Sequence, residues 1–328
     1  MQPFSYSKPT TLNDAIAAMQ LQPGSAVIAG GTDLLDLMKL AVTAPSQLID
    51  INGLPLAGIG VTNQGVTIGA LARMNDVARD PRIVNGFPVL SQALLASASG
   101  QLRNMATVGG NLMQRTRCPY FRSNTFACNK REPGSGCSAI DGFNRGSAIL
   151  GTSSKCIAVH PSDMAVALVA LGADVVLASH SSTRRVMVED FYLLPGDTPE
   201  VETVCEPAEL IVAVEVPASP EARRSVYLKV RDRASFEFAL VSVAAAVETK
   251  GSIIKSARFA MGGVAARPWR IPSVEAILAG KPASMKNFAA AATAALAGAT
   301  STPLNAFKLA LAENAIKRAL ALATQVST

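Results

Sequence analysis

Histidine is nearly absent from this chain: His160 and His180 are the only two in 328 residues, and there is a single tryptophan. General-base chemistry that relies on imidazole is therefore poorly supplied, and no Ser/His/Asp arrangement or His-Glu-x-x-His run is present. No stretch offers 18 uninterrupted apolar residues, which argues against a transmembrane helix. Charged residues are scarce too, at 16% against 49% hydrophobic, which excludes disorder and the collagen, mucin and coiled-coil classes. The opening Met1-Gln-Pro-Phe-Ser-Tyr-Ser-Lys-Pro9 shows neither a basic segment leading into an apolar one nor a twin-arginine pair. Any export is therefore expected to be borrowed from a partner.

What is present is concentrated. The net charge is +6, yet Arg115, Arg117, Arg122, Lys130, Arg131, Arg145 and Lys155, set against Glu132 and Asp141, place +5 of it between residues 115 and 156. One loop, and not a nucleic-acid-binding face, carries the excess. Four of the five cysteines, Cys118, Cys128, Cys137 and Cys156, share that segment, and Cys205 stands alone. An odd cysteine count in a large chain argues against a disulfide framework and toward metal or cluster ligation. The spacing Cys-x9-Cys-x8-Cys-x18-Cys brings no histidine and none of the close Cys-x2-Cys pairs of zinc ribbons. A [4Fe–4S] cubane is larger, tolerates dispersed thiolates and is anionic, which suits a basic loop. Zinc and reduced free thiols are the alternatives.

Along the chain, helical spacing over residues 11–22 is followed by a short apolar strand at 25–30, the Gly30-Gly31 turn and a helix over 32–40. Strands are expected at 47–51, 58–61 and 65–69, and helices at 75–79 and 89–102. Thr107-Val-Gly-Gly-Asn111 reads as a glycine loop, and 115–156 as an insertion too rich in Gly, Pro and Ser to order itself. A helix over 161–171 and strands at 174–178 and 210–216 close the first part, with a boundary near Ala222. The remainder predicts strands at 225–231, 238–248 and 256–261, then helices at 273–279, 286–297 and 305–323. The fold class is α+β.

Paired glycines between strand and helix let backbone approach a ligand and favour an anion such as pyrophosphate, although a tight structural turn reads equally from the residues. Asp163 is either a helix N-cap or a carboxylate for cofactor hydroxyls. His160 is expected to be a cap-region or surface residue. Lys229 is either an exposed strand end or a cation beside a flavin. Cofactor loops and cluster ligands without acid/base equipment describe an electron carrier.

Taken in order, Ile28-Ala-Gly-Gly-Thr-Asp-Leu-Leu-Asp-Leu-Met-Lys39, Thr107-Val-Gly-Gly-Asn111, the four cysteines, His160-Pro-Ser-Asp163 and Lys229-Val-Arg-Asp-Arg233 resemble the FAD-binding medium subunits of the xanthine dehydrogenase, or molybdenum hydroxylase, family. Gln114-Arg-Thr-Arg-Cys-Pro-Tyr-Phe121, Cys128-Asn-Lys-Arg131 and Pro133-Gly-Ser-Gly-Cys137 resemble most the FAD and [4Fe–4S] subunits of its periplasmic aldehyde oxidoreductase branch. The resemblance implies a two-subdomain FAD-binding fold of the p-cresol methylhydroxylase type over 1–221, interrupted by the cysteine loop at 115–156, and a C-terminal α+β domain over 222–328. It implies that Ala29, Gly30, Gly31, Thr32, Asp33, Leu34 and Leu35 wrap the pyrophosphate, that Thr107, Gly110, Asn111 and Gln114 touch FAD, that Asp163 binds its hydroxyls and that Lys229 sits near the ring. Cys118, Cys128, Cys137 and Cys156 would hold the [4Fe–4S] cluster, with Cys205 a bystander. The implied partners are a large molybdenum-cofactor subunit and a small [2Fe–2S] subunit in a heterotrimer, with an external electron acceptor, no nucleic acid and no membrane. The implied location is the periplasm, with export on a signal-bearing partner; a cytoplasmic location is the alternative. A 4-hydroxybenzoyl-CoA reductase-like subunit and a zinc-stabilised scaffold are the competing functions. Arg122 and Arg145 are expected to face an acidic partner surface.

Overall fold

In the computed structural model, which describes residues 1–326, the chain begins with a small α/β layer. Strands β1 (Ser5–Ser7), β2 (Ser25–Ile28) and β3 (Gln47–Asp50) pair in parallel in the order β1-β3-β2. Helices α1 (Leu12–Leu21) and α2 (Leu34–Lys39) make the connections. The Thr11 side chain caps α1 by accepting from Asp14 N–H, and Ala15 and Ile16 on its inner face pack with Ile49, Ile51 and Leu54.

The second layer is an antiparallel sheet of β4 (Ile59–Thr62), β5 (Gly65–Gly69), β6 (Asp174–Ala178), β7 (Thr183–Met187) and β8 (Leu210–Pro217), ordered β4-β5-β8-β6-β7. Around it run α3 (Met74–Arg79), α4 (Pro81–Gly86), α5 (Pro88–Ala96), α6 (Gly100–Met105), α7 (Val108–Leu112), α8 (Asp163–Leu171) and α9 (Val188–Phe191). Every residue of α8 is buried, because this helix, apolar in all but Asp163 at its start, is covered on one side by the sheet core and on the other by the next layer.

That third layer is an antiparallel meander of β9 (Ser225–Val230), β10 (Val241–Lys250) and β11 (Ile253–Gly262), followed by α10 (Pro272–Leu278), α11 (Met285–Ala295) and α12 (Phe307–Thr324). Strand β10 sorts its side chains by parity. Val241, Val243, Ala245 and Val247 join the core with α11 and α12, whereas Ala244 joins the core containing α8. The small alanines on that face let α8 lie close.

The α+β class holds, and so do most elements. The helix expected over 89–102 is two helices. Ala98 takes a left-handed φ of 47°, and the Ser99 side chain starts α6 by accepting from Leu102 N–H. Thr107-Val-Gly-Gly-Asn111 is a one-turn helix capped by Thr107, where a loop was expected. Strands β1 and β7 and helix α4 were not anticipated. Residues 113–162 contain no helix or ladder strand, only turns and the isolated bridges Cys128 to Cys137 and Ser153 to Cys156. Among the described residues no helix is long and apolar enough to cross a membrane.

Candidate functional site: a two-turn cleft beside a four-thiol cavity

Two backbone turns meet over the first layer. The turn from β2 into α2 presses so closely on the end of α6 that a Cβ on Gly30 would overlap the Met105 carbonyl, and Gly31 sits at φ 70°. A side-chain clamp holds the pair in place. Asn52 donates to the Ala29 carbonyl at 2.8 Å, and Arg73 reaches both Asn52 Oδ1, at 3.0 Å, and the Met105 carbonyl. The result is a cleft of about 350 Å³ lined by Ala29, Gly30, Gly31, Thr32, Asp33 and Leu34 on one side, Thr107, Gly109 and Gly110 on the other, and Cys205, Leu210 and Ile211 between them.

The two turns offer different chemistry. At α7, Val108, Gly109 and Gly110 N–H groups already donate to Ala72 O, Ala70 O and Thr107 Oγ1, so the second turn supplies shape. At the first turn Leu35 and Leu37 N–H donate to the Gly31 and Asp33 carbonyls, and the glycine backbone that precedes them leaves room for an anionic diphosphate.

Beside this cleft the cysteine loop closes on itself. Cys118, Cys128, Cys137 and Cys156 line one small cavity together with Thr116, Phe121 and Lys130, and all are free thiols. Burial raises the Cys118 thiol and pushes Cys156 to about 11, with Lys130 opposing the latter. Among the described residues no group of three His, Cys, Asp or Glu side chains is set to hold a single metal ion.

The basic side chains of this loop are compensated by acids from elsewhere in the chain. Arg117 and Arg122 hold Asp33, Arg122 also holds Asp36, Arg115 and Lys130 hold Glu202, Arg145 holds Asp232 and Lys155 holds Asp197. Arg131 donates to the carbonyls of Tyr120, Phe121 and Phe126. Of the two arginines expected to face a partner, Arg122 is turned inward with its side chain only 12% exposed, whereas Arg145 pairs with Asp232 on the surface and stays 38% exposed.

Residues 2–219 match the family model described as the FAD binding domain in molybdopterin dehydrogenase, and residues 226–323 match the CO dehydrogenase flavoprotein C-terminal domain. The chain belongs to the FAD-binding medium subunits of the molybdenum hydroxylase family. It is 49% identical to the aldehyde oxidoreductase FAD-binding subunit PaoB of Escherichia coli, across 98% of each chain. It is 30% identical to the glyceraldehyde dehydrogenase medium chain of Sulfolobus acidocaldarius, across 85% of this chain and 82% of that one. Among solved structures, carbon monoxide dehydrogenase from Hydrogenophaga pseudoflava superposes with a TM-score of 0.76 at 27% identity, covering 100% of both chains.

The glycine cradle of this medium subunit fits FAD: no side chain at Gly30 or Gly31 obstructs the first turn. Six residues of the expected run, Ala29 to Leu34, line the cleft with Thr107 and Gly110. The others lie elsewhere. Leu35 packs its side chain under Gly31. Asn111 accepts from Ser162 Oγ at 2.6 Å, and Gln114 bonds Arg117 and the Asn111 carbonyl. The N-cap of α8 is Ser162, not Asp163. Asp163 is 6% exposed and accepts from Ser97 at 3.0 Å, Tyr227 at 2.6 Å and Lys229 at 2.8 Å. Lys229 also donates to the Ala96 carbonyl, so it is neither exposed nor free.

Of the two readings of His160, the cap region holds and the surface does not: it lies two residues before the Ser162 N-cap of α8. Its ring stacks on Tyr192 with centroids 4.2 Å apart. Nε2 is buried without a partner, and burial, reinforced by Lys130 and Arg117, lowers its pKa to about 3. Sequence reasoning missed Asn52 and Arg73, whose partners are 21 to 32 residues distant, and it missed Cys205 as a wall of the cleft. No local pattern marks any of the three.

Proposed function

We propose that this chain is the electron-transfer subunit of a molybdenum-dependent aldehyde oxidoreductase, with FAD in the two-turn cleft and a [4Fe–4S] cluster on Cys118, Cys128, Cys137 and Cys156. One observation carries the reading. Four thiols dispersed over residues 118–156 converge on one cavity beside the flavin cleft, in a chain alike over 98% of its length to an aldehyde oxidoreductase FAD-binding subunit. Four thiolates with no histidine and no close Cys-x2-Cys pair favour a multi-iron group over zinc.

Bound there, FAD supplies two-electron and the cluster one-electron exchange. The residues of this chain hold and insulate. The Ala29 to Leu34 turn receives the diphosphate, and Thr107 and Gly110 close the opposite wall. The Asp163–Lys229 pair joins α8 to β9 beneath the layers that the cleft spans. Lys130, buried beside Cys156, offsets the negative charge of ligated thiolates.

Aldehyde oxidation then belongs to a large molybdenum-cofactor subunit, electrons arrive through a small [2Fe–2S] subunit, and an external acceptor removes them here. The assembly is a heterotrimer, carried to the periplasm by a signal on a partner. The test is anaerobic titration of the purified complex with an aldehyde while the visible spectrum is followed. Bleaching of both flavin and iron–sulfur bands, with reoxidation by ferricyanide, supports the reading. A colourless medium subunit, or a complex that aldehyde does not reduce but that 4-hydroxybenzoyl-CoA reoxidises after chemical reduction, contradicts it.

A further inference from the structure

We propose that Asp33 is a positioning residue that ties the flavin turn to the cysteine loop, so that FAD and the iron–sulfur cluster each strengthen the other's binding; this rests on the reading of the four cysteines given above. Asp33 precedes α2 but makes no cap bond to it. Its carboxylate takes the Arg115 N–H at 2.8 Å, Arg117 Nη1 at 2.6 Å and Arg122 Nη2 at 2.6 Å. These donors bracket Cys118. Arg117 immediately precedes it, Arg122 Nε holds the Thr116 carbonyl at 3.0 Å, and the Thr116 hydroxyl accepts from Cys118 N–H at 3.3 Å. One turn further along α2, Leu37 packs against Phe121 and Cys128. The same short helix therefore lines the flavin cleft at its start and seats the thiol cavity along its side.

Charge gives the coupling its sign. A carboxylate in the lining of a cleft that receives a diphosphate repels it unless it is neutralised. Asp33 is neutralised by two guanidiniums that both come from the cysteine loop. That loop has no ladder or helix of its own, so its order depends on what the thiols bind. When the cluster is lost, Arg117 and Arg122 leave, and an unpaired carboxylate faces the diphosphate. By reciprocity, an occupied cleft that holds α2 in place favours the ordered loop.

The experiment is a double-mutant cycle on the full complex. Iron content is measured, and the FAD dissociation constant is taken from flavin fluorescence after reversible deflavination. Cys128→Ser is expected to remove iron and to weaken FAD binding by about tenfold or more. In the Asp33→Asn background the same substitution should change FAD affinity less than about twofold, because the charge that couples the sites is gone. Arg122→Gln should weaken FAD like Cys128→Ser, and it serves in place of Asp33→Asn if that variant does not fold. Arg145→Ala, which breaks an ion pair of the same loop on its other side, should alter neither quantity. Iron loss with unchanged FAD affinity, or an undiminished effect of Cys128→Ser in the Asp33→Asn background, overturns the coupling alone. Iron content indifferent to Cys128→Ser overturns the cluster reading, and the coupling with it.

Discussion

Gly30 and Gly31 stand side by side but answer different needs. Gly30 has no room, since any Cβ meets the Met105 backbone, whereas a Cβ on Gly31 would press on the flexible Leu35 side chain at 3.0 Å, at a φ of 70° that costs an L residue about 1–2 kcal/mol. Gly30→Ala is therefore expected to push the two turns apart, destabilising the chain by about 1–3 kcal/mol and releasing FAD. Gly31→Ala should lose about 1 kcal/mol and keep most of its FAD; thermal unfolding with and without added FAD separates the two. Cys205 gives a second residue-scale test. Burial holds its thiol at about 11, yet it lines the cleft. Maleimide labelling at Cys205 should be slow in the FAD-bound chain and accelerate on deflavination; equal rates would place it away from the cofactor. His160 gives a third. Its pKa is about 3 against an ordinary 6.5, so between those values the unfolded chain binds the extra proton. Stability should therefore fall as pH drops through about 6.5, by about 2 kcal/mol at pH 5. Urea unfolding at pH 7.5 and pH 5.0 reads this, and His160→Gln should flatten the difference. The glycine pair was legible in sequence because its need is local. The fate of Asp33 was not, because its partners lie 82 to 89 residues away and outcompete its own helix.

Elements show the same division between local and distant causes. Helix α1, strands β2 and β3 and the C-terminal helices carry apolar periods that announce them, and α1 and α11 carry caps as well. The break at residues 97–99 does not, because Ser97 is drawn out of helical pairing with its neighbours: its hydroxyl bonds both the Ala93 carbonyl and Asp163. Strand β7 hides in Thr183-Arg-Arg-Val-Met187 because its arginines are strand-face residues paired with Glu209 and Glu215 on and beside β8. The cysteine loop was legible as an insertion needing a bound group, and its residues 115–156 remain without regular structure. Its order should fail when one thiol is removed. In limited proteolysis Cys128→Ser is expected to give cleavage within 115–156, whereas Cys205→Ser should digest like the wild type. Identical, resistant patterns in both variants would show that the loop orders itself.

At the scale of the molecule, each of the three layers packs on a core of its own, and α8 lies between the second and third. The cofactor cleft sits where the first and second layers meet, and the thiol cavity hangs from α2 beside it. Composition and motif order were enough to read an α+β FAD-binding subunit of the molybdenum hydroxylase family. The location of the charge excess was legible as well, but not its use: six of the seven basic side chains in the loop find carboxylates brought near only by folding. The central claim, that the dispersed cysteines hold an iron–sulfur cubane on a flavin subunit, is tested most directly by counting iron. Iron and acid-labile sulfide are measured per complex in the wild type and in Cys128→Ser, with molybdenum as the internal standard. A difference of about four iron and four sulfide per medium subunit is the predicted result. Equal iron in both, or zinc in place of iron in the wild type, would contradict it.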